Sequence, residues 1–479
     1  MPRLSKLIYI VFLIISDISA LFVSFFAGFF IRTEILPKFF SPLKVPPLPF
    51  DTQLRYGLLY AAIFVVLVLM YEKLYTKRFS FWDETKYLLT GVTFSFILLM
   101  TIVFVSRGYQ QFSRIVILIA WIFCLFLFPI FRLVIRKILF SIRALRKKVL
   151  ILGTSQTAKL IATEIEKNWS LGYEIIGFLN TGDDDPEESV LNGLPVLGKT
   201  DQIGELSQTL GIQDFVISSH GINQDRLLEI VENCEKVADT IRIVPDIGNL
   251  FTMGIAIENW GDILFLSIAR NLVKPWNIFI KNIIEFFTTL VLSILLLPLF
   301  LFIAIAIKID SRGSILYLQE RLSWKNKTFK CFKFRSMYID GDFRLKEFLQ
   351  ENQMAKEEWK KYRKLKKNDP RVTRVGRFIR KYSLDELPQL INVLKGDMSL
   401  VGPRPYMPRE KEDIGKSYPI ISRVKPGITG LWQVRGRNIL TFEDRLLLDE
   451  YYIRNWSLWL DIVILFKTIK VLMTQEGAY

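Results

Sequence analysis

Apolar runs that are long enough to cross a lipid bilayer constrain this chain of 479 residues more than any other feature. Four of them lie near the start of the chain, at residues 7–31, 54–71, 87–105 and 115–134. Each approaches the roughly 20 apolar residues that a helix needs to span the hydrocarbon layer. The sequence therefore predicts a four-helix transmembrane bundle over residues 1–140. Asp17 interrupts the first run, and we expect it to be bonded inside the bundle rather than to act on a ligand.

The distribution of basic residues predicts the orientation of this bundle. Lys and Arg residues precede the first run, separate the second from the third and follow the fourth, whereas the stretches 32–53 and 106–114 are poorer in them for their length. Because cytoplasmic loops carry the excess of Lys and Arg, both ends of the bundle are expected in the cytoplasm. The formal net charge of +16 favours anionic partners such as lipid head groups, nucleotides or nucleic acid.

Cysteine and histidine usage excludes several kinds of site. Cys124, Cys234 and Cys331 are far apart and lack metal-ligand spacing, which predicts a reducing compartment and no disulfide framework. The single histidine, His220, argues against a histidine-based catalytic or metal site, and we expect it at the end of a strand.

Residues 145–250 have the pattern of an α/β domain. A buried strand ends at Gly153, a helical pattern follows, and further strands are predicted at 174–179, 215–218 and 240–244. This is a Rossmann-like beginning, but Ser155 stands where a dinucleotide fingerprint requires glycine and would keep the backbone away from a pyrophosphate. A structural or regulatory domain that packs between subunits of a homodimer is therefore preferred over a dinucleotide-binding domain.

The apolar segment at residues 275–308 has two possible paths. It is long enough to span the membrane, which would place the basic C-terminal region outside the cell, against the positive-inside tendency. Pro298 removes a helix hydrogen bond and kinks the chain, so the segment could instead enter, bend and return. The residues alone leave both paths open.

From residue 309 to residue 479 the chain is more polar and is expected to form a small mixed α/β domain. We predict strands at 313–319 and 327–334, a charged helix at 343–367 and an interfacial helix at 456–473. Between residues 356 and 381 there are twelve Lys and Arg residues against three Asp and Glu residues. They form either a solvated face or a surface that rests on anionic membrane lipid. Too few aromatic residues lie among them for nucleic-acid binding.

Two adjacent carboxylates, Asp385 and Glu386, are the strongest candidates for chemistry. The simplest interpretation is a helix start, with Ser383 as the N-cap and both acids in the first turn. The alternative is a reaction centre, in which the two neighbouring side chains diverge and do different jobs. Both can hold, because helix N-termini also attract phosphates.

Three motifs occur in a specific order, and the second of them contains this pair. Residues 331–337 read Cys-Phe-Lys-Phe-Arg-Ser-Met, and residues 425–434 read Lys-Pro-Gly-Ile-Thr-Gly-Leu-Trp-Gln-Val. Between them, residues 381–405 form one motif, with Ser-Leu-Asp-Glu-Leu-Pro-Gln-Leu at 383–390 and Gly-Pro-Arg-Pro at 402–405. With these motifs the chain resembles the bacterial sugar transferase family, the monotopic phosphoglycosyl transferases, over residues 275–479. Over its whole length it resembles the long members, which load galactose-1-phosphate or glucose-1-phosphate onto undecaprenyl phosphate.

This resemblance implies a function and a topology. The substrates would be UDP-hexose, with galactose favoured over glucose, and undecaprenyl phosphate; UMP would leave in the first membrane step of O-antigen, capsule or exopolysaccharide synthesis. Residues 275–308 would form a re-entrant hairpin that bends at Pro298 and keeps the catalytic domain on the cytoplasmic face of the bacterial inner membrane. The sequence departs from the family in one place, because Leu297 stands where the family usually has Ser. The family's acidic residue near the start of this segment appears here as Glu285.

The resemblance also implies roles for individual residues. Asp385 would be the nucleophile that forms a covalent phosphosugar, and Glu386 would bind Mg²⁺. Substrate and phosphate contacts are expected from Lys333, Arg335, Arg380, Arg404, Gln433 and Arg437. Pro403 and Pro405 restrict the backbone around Arg404. Asp397 and Asp449 are expected to be structural.

Two other functions are compatible with parts of the sequence. A membrane-anchored nucleotide-sugar dehydratase would need an intact glycine fingerprint and a Tyr-x-x-x-Lys pair. Tyr362 and Lys366 have that spacing, but no dinucleotide-binding strand precedes them. A non-catalytic scaffold of polysaccharide assembly would not need an intact pair at Asp385 and Glu386.

Overall fold

The computed structural model describes residues 2–39, 57–105, 113–181, 189–246, 255–260, 263–268, 272, 274–362, 369–436 and 440–474. The chain divides into two compact units, Met1–Asp246 and Ile247–Tyr479.

The first unit begins with apolar helices. They are α1 (Pro2–Phe30), a π-helical turn (Ile31–Ile35), α2 (Leu36–Phe39), α3 (Leu58–Tyr71), α4 (Phe81–Val105) and α5 (Arg114–Ser141). Three of the four predicted spans are long and apolar enough to cross a membrane, and the described part of the second, α3, is shorter at 14 residues. Large apolar side chains cover the outward faces of these helices. The chain is a membrane protein with helical and α/β parts.

A cluster of buried charges joins the apolar helices. Asp17 accepts hydrogen bonds from Arg132 Nε and Tyr75 Oη, both at 2.8 Å. One oxygen of Glu84 lies 3.1 Å from Arg132 Nη1 and 2.8 Å from Arg136 Nη2. Two carboxylates thus pair with two guanidinium groups, which offsets the cost of removing four charges from water. The expectation that Asp17 is bonded inside the bundle is confirmed.

A six-stranded sheet completes the first unit. Its strands are β1 (Lys147–Leu152), β2 (Tyr173–Asn180), β3 (Val190–Leu191), β4 (Leu194–Lys199), β5 (Asp214–Ser218) and β6 (Thr240–Val244). Its helices are α6 (Gln156–Lys167), α7 (Ile203–Leu210) and α8 (Gln224–Glu235). Five strands run parallel in the order β4-β2-β1-β5-β6, and β3 pairs antiparallel with β4. The three strands predicted after Gly153 are confirmed. His220 follows β5 as expected, but its ring is exposed beside Asp246.

The second unit contains the apolar segment that carries Pro298. After an antiparallel pair, β7 (Ile255–Trp260) and β8 (Ile263–Ile268), come α9 (Pro275–Leu295) and α10 (Leu297–Asp310). Leu296 alone separates the two helices, and Pro298 lies in the first turn of α10. The break occurs where the sequence predicts it, because proline has no amide hydrogen to continue the helical bonding.

The rest of the second unit combines strands and helices around several buried apolar clusters. Its strands are β9 (Leu316–Leu322), β10 (Thr328–Phe334), β11 (Ser399–Val401) and β12 (Gly427–Thr429). Its helices are α11 (Gly341–Glu351), α12 (Gln353–Tyr362), α13 (Arg374–Lys381), α14 (Gln389–Lys395), α15 (Lys411–Ile414), α16 (Tyr418–Ile421), α17 (Leu431–Arg435), α18 (Phe442–Arg454) and α19 (Leu458–Thr474). β9 and β10 pair antiparallel, and β11 and β12 pair parallel.

Two predicted boundaries in this unit are wrong. The first strand starts at Leu316 rather than at residue 313, since Gly313 adopts a φ of +124° that a strand does not use. The single helix predicted at 343–367 is divided at Asn352. The side chain of Asn352 accepts a hydrogen bond of 3.0 Å from the amide of Ala355 and so begins a new helix.

Candidate active site

The two candidate catalytic carboxylates lie in a tight turn between α13 and α14. Asp385 and Glu386 belong to a 3₁₀ turn, Leu384–Glu386, and the α-helix begins only at Gln389. Ser383 precedes the turn with φ 54° and ψ 23°, a left-handed conformation that non-glycine residues rarely adopt, and its side chain makes no capping hydrogen bond. Ser383 thus occupies the predicted N-cap position, but its side chain does not cap the turn, which is 3₁₀ rather than the start of an α-helix. The turn, rather than a helix start, presents the acids, and backbone strain of this kind is typical of functional sites.

Lys333 on β10 provides the positive charge of this turn. Its Nζ lies 2.7 Å from Glu386 Oε1, so the fold brings Lys333 to the carboxylate pair. Partial burial and the adjacent Glu386 raise the pKa of Asp385 to about 6, although Lys333 and Arg380 act in the opposite direction. For Lys333, burial alone would lower the pKa, but the ion pair with Glu386 outweighs burial, and the pKa is raised.

Asn392 fixes the turn relative to β10, and sequence reasoning missed it. Its Oδ1 accepts a hydrogen bond of 2.9 Å from the amide of Phe332, and its Nδ2 donates one of 2.8 Å to the carbonyl of Lys330. Asn392 is fully buried. Asn392 lies on α14, directly after the turn, and Lys333 lies on β10. These bonds therefore fix the position of the carboxylates relative to Lys333. An asparagine on the apolar face of a short helix was the signal that could have identified it.

Arg335 is not brought to the carboxylates as a phosphate contact. It is buried, and its two terminal nitrogens donate to the carbonyls of Arg312 and Ser311 at 2.7 and 2.8 Å and to Ser311 Oγ at 2.9 Å. These bonds fix the backbone directly after the end of α10. We therefore correct its assignment from a substrate contact to a structural residue.

The other predicted substrate contacts have different surroundings. Arg380 is half-buried at the end of α13, and no hydrogen bond or ion pair within the described ranges engages its guanidinium group. Gln433 is half-buried on α17. Arg437 lies outside the described residues.

The loop that carries Arg404 is held by its backbone. The amide of Arg404 and the hydroxyl of Tyr406 donate to Asp449 Oδ2 at 3.1 and 2.9 Å. Burial raises the pKa of Asp449 to about 7, while these two hydrogen bonds act in the opposite direction. The guanidinium group of Arg404 lies 5.5 Å from the ring centre of Trp432 and 3.7 Å from Glu410 Oε1. Asp449 is structural, as expected.

Arg321 on β9 holds the same loop from the other side and was not predicted. Its Nη1 donates to the carbonyl of Pro405 at 2.9 Å, and its Nη2 donates to Gln319 Oε1 at 2.7 Å. The amide of Leu322 donates to the carbonyl of Tyr406 at 2.8 Å. The backbone around Arg404 is thus bound from both β9 and α18, which confines the arginine to a preset position.

Comparisons with known proteins agree with these motifs. The family described as "Bacterial sugar transferase" matches residues 276–475, and one described as "CoA-binding domain" matches residues 70–245. The chain is 37% identical to the "Undecaprenyl-phosphate galactose phosphotransferase" of Salmonella typhimurium, over 85% of this chain and 84% of that protein. The chain belongs to the bacterial sugar transferase family.

Two further relatives carry related names. The "UDP-galactose-lipid carrier transferase" of Erwinia amylovora is 34% identical to this transferase, over 85% of this chain and 84% of the relative. The "Undecaprenyl-phosphate glucose phosphotransferase" of Komagataeibacter xylinus is 32% identical, over 70% and 61% of the two chains.

The carboxylate pair of this transferase is compatible with a magnesium ion. No group of three or more His, Cys, Asp or Glu side chains within the described ranges could hold a metal alone. Mg²⁺ at phosphoryl-transfer sites commonly uses one or two carboxylates together with substrate phosphates, so two acids are sufficient. Lys333 bonds only to Oε1 of Glu386, which leaves Oε2 and the Asp385 carboxylate as hard oxygen donors.

Proposed function

We propose that this protein transfers hexose-1-phosphate from UDP-hexose to undecaprenyl phosphate and releases UMP. Galactose-1-phosphate is favoured and glucose-1-phosphate is next, following the names of the relatives. The observation that carries the proposal is the strained turn that presents Asp385 and Glu386 beside Lys333. The transfer would begin O-antigen, capsule or exopolysaccharide synthesis.

The proposed reaction has two displacements at one phosphorus atom. An oxygen of Asp385 attacks the phosphorus that carries the hexose; the bond to the bridging oxygen breaks, and UMP leaves with the electron pair. A phosphate oxygen of the lipid then attacks the same phosphorus, forms the diphosphate and frees the carboxylate. Neither step requires a protein general acid, because each leaving group departs as an anion.

Each residue around Asp385 has a role in this scheme. Lys333 orients Glu386 through their ion pair, and Arg380 and Arg404 offer guanidinium groups to phosphate oxygens. Mg²⁺, held by Glu386 together with substrate phosphates, would neutralise the charge that accumulates on the phosphoryl group. Gln433 and Arg437 remain proposed substrate contacts.

The re-entrant path of α9 and α10 is part of the proposal. On α9, Glu285 accepts hydrogen bonds from Ser399 Oγ (2.5 Å) and the amide of Val401 (3.2 Å) on β11. On α10, Ile303 and Ile307 pack into a hydrophobic cluster with Phe334 and Ile379. Both helices therefore contact the same domain, whereas Ile294, Leu295 and Leu297 around the break are exposed.

A segment that spanned the bilayer would carry its two ends to opposite sides, which these shared contacts disfavour. A helix pair that enters and returns satisfies them and buries the exposed residues around Leu296 in lipid. Together with the basic flanks of the bundle, this path supports a catalytic domain on the cytoplasmic face of the inner membrane.

The α/β part of the first unit is proposed to be structural. Its parallel strand order and the turn at Gly153, with φ +113°, support a Rossmann-like domain. The hydroxyl of Ser155, however, caps α6 through the amide of Ala158 (3.4 Å) and contacts Ser218 Oγ (3.1 Å). This leaves the position without the glycine that a dinucleotide requires, so neither an NAD-dependent dehydratase nor CoA binding is proposed. Packing between subunits of a homodimer remains the proposed role.

The experiment that tests the function compares Asp385→Asn with Glu386→Gln in the full-length protein. After incubation with UDP-hexose and Mg²⁺, mass spectrometry should find a hexose-phosphate on Asp385 of the unchanged protein and none on Asp385→Asn. Glu386→Gln should retain slow adduct formation that rises with added Mg²⁺. An adduct on Glu386, or undiminished turnover by Asp385→Asn, would refute the assignment of the nucleophile.

A further inference from the structure

A cavity of about 530 Å³ lies in the first unit, at the end of the membrane helix α5. Its walls come from the last turn of α5, from the connection to β1 and from the start of β2, and they include Lys137, Arg143, Arg146, Trp169 and Tyr173. We call it the α5 cleft. Nothing in the proposed transfer reaction uses it.

The charges of the α5 cleft are incompletely paired. Lys137 has no ion-pair or hydrogen-bond partner within the described residues, and Arg143 has only a distant one, Glu174 at 3.9 Å. Arg146 donates its Nε to the carbonyl of Phe140 at 2.6 Å, and no carboxylate in the described part of the chain forms an ion pair with it. Glu166 and Glu174 also line the cleft, so three cations face two acids. The excess charge suits an anionic group.

The position of the α5 cleft along the helix corresponds to the head-group layer of a membrane. About 20 residues cross the hydrocarbon layer, so a path that begins at Arg114 reaches its far side near Val134. Lys137 lies about one turn beyond. Val134, Ile138 and Ile142 form an exposed apolar stripe that leads to the cleft, and Trp169, an interfacial residue type, is half-exposed at its wall. A ligand with an apolar tail and an anionic head fits this arrangement.

A soluble nucleotide is a poorer fit for the α5 cleft. In open parallel sheets such ligands bind outside the carboxyl ends of the strands. The cleft lies instead at the amino end of the sheet, where Tyr173 and Glu174 begin β2. Gly172 packs directly against the ring of Phe140 in the wall of the cleft, since a Cβ at this position would lie 2.4 Å from that ring. We infer that the α5 cleft binds the phosphate head group of an anionic membrane lipid.

Photo-crosslinking in a defined membrane tests this inference. The full-length protein is placed in phosphatidylcholine nanodiscs that contain a trace of phosphatidylglycerol with a photoreactive head group, and cross-links are mapped by mass spectrometry. They should concentrate on residues 137–146 and 165–175. In Lys137→Gln/Arg143→Gln the yield there should fall by about fivefold for each charge removed. The matched control, Lys199→Gln/Lys236→Gln, removes two exposed charges elsewhere in the unit and should keep the yield.

Competition distinguishes the source of the phosphate. Unlabelled phosphatidylglycerol should suppress the cross-links, whereas millimolar inorganic phosphate or UDP should leave them unchanged. Suppression by the soluble anions would mean that the α5 cleft is a soluble-phosphate site and would overturn the lipid assignment. Equal yields in the two double variants, or cross-links spread evenly along the apolar helices, would also overturn it. The readout does not depend on hexose-phosphate transfer.

Discussion

The ionisation of Asp385 should control the rate of the first displacement. Only the carboxylate attacks phosphorus, and burial beside Glu386 raises the pKa of Asp385 to about 6. The rate of adduct formation in single-turnover experiments with subsaturating UDP-hexose should therefore rise with pH, from about tenfold lower one unit below this pKa to a plateau above pH 7.

Replacing Lys333 tests whether Asp385 sets the midpoint of this pH profile. Lys333→Met removes a cation that favours the Asp385 carboxylate, so the midpoint of the pH profile should move upward. Lys330→Met changes an exposed lysine on the same strand and should leave the midpoint in place. A midpoint that does not move in Lys333→Met would exclude Asp385 as the titrating group.

At the scale of single residues the sequence identified some contacts and misplaced others. Asp385 and Glu386 lie in a different motif from Lys333, 53 residues separate Lys333 from Glu386 in the chain, and the structure brings the three together. Arg335 lies in the same motif as Lys333, but its guanidinium group reaches the carbonyls that leave α10. A local sequence pattern does not predict which groups the end of a long side chain contacts, because those partners come from another part of the chain.

At the scale of elements, the loop around Arg404 should depend on Arg321. Arg321→Met leaves the carbonyl of Pro405 without its side-chain donor, so the loop loses its preset position. Loss of one such bond should raise the KM for UDP-hexose about tenfold while kcat falls less. Arg321→Lys keeps one donor and should restore part of the affinity. An unchanged KM in Arg321→Met would show that the loop is held without this bond.

A buried network should hold α9 against the catalytic domain. Lys281 Nζ lies 2.8 Å from Glu285 Oε1 and 2.6 Å from Asp461 Oδ2, and Tyr452 and Trp456 also donate to Asp461. Lys281→Met leaves two buried carboxylates without their cation and should cost about 3–5 kcal/mol of folding free energy. Thermal unfolding in detergent would measure the loss.

Two variants control this prediction. Lys281→Met/Glu285→Gln/Asp461→Asn removes all three charges and should recover most of the stability, because no unpaired charge remains buried. Lys308→Met, at an exposed position on α10, should change it little. If Lys281→Met unfolds at the same temperature as the unchanged protein, the network does not anchor α9.

The division between α9 and α10 could be predicted, and this network could not. Pro298 predicts the helix break, because proline has no amide hydrogen to continue the helical bonding. Lys281 and Glu285 are four residues apart, a spacing that predicts an ordinary ion pair along a helix. Asp461 is 180 residues from Lys281 in the chain, so the sequence does not indicate that the two interact. Periodicity identifies which face of a helix is apolar, but it does not reveal which distant carboxylate completes a buried pair.

At the scale of the whole molecule, two independent arguments support the proposed topology. The basic flanks of the bundle predict that its last helix ends in the cytoplasm, and the shared contacts of α9 and α10 favour a re-entrant path that would keep the catalytic domain on the same side. The cysteines of the chain are all buried, so an engineered cysteine on the surface would report its own location.

Labelling of intact cells with a membrane-impermeant maleimide tests this topology. Lys346→Cys places the reporter at an exposed position on α11, and it should react only after the cells are permeabilised. Lys236→Cys, in the α/β part of the first unit, should behave identically, since the basic flanks of the bundle predict that it lies inside. Ser106→Cys lies in a segment predicted to be outside and should react in intact cells. Reaction of Lys346→Cys from outside, with Lys236→Cys protected, would mean that the segment containing α9 and α10 crosses the bilayer, because a single crossing is the only path that separates these two positions.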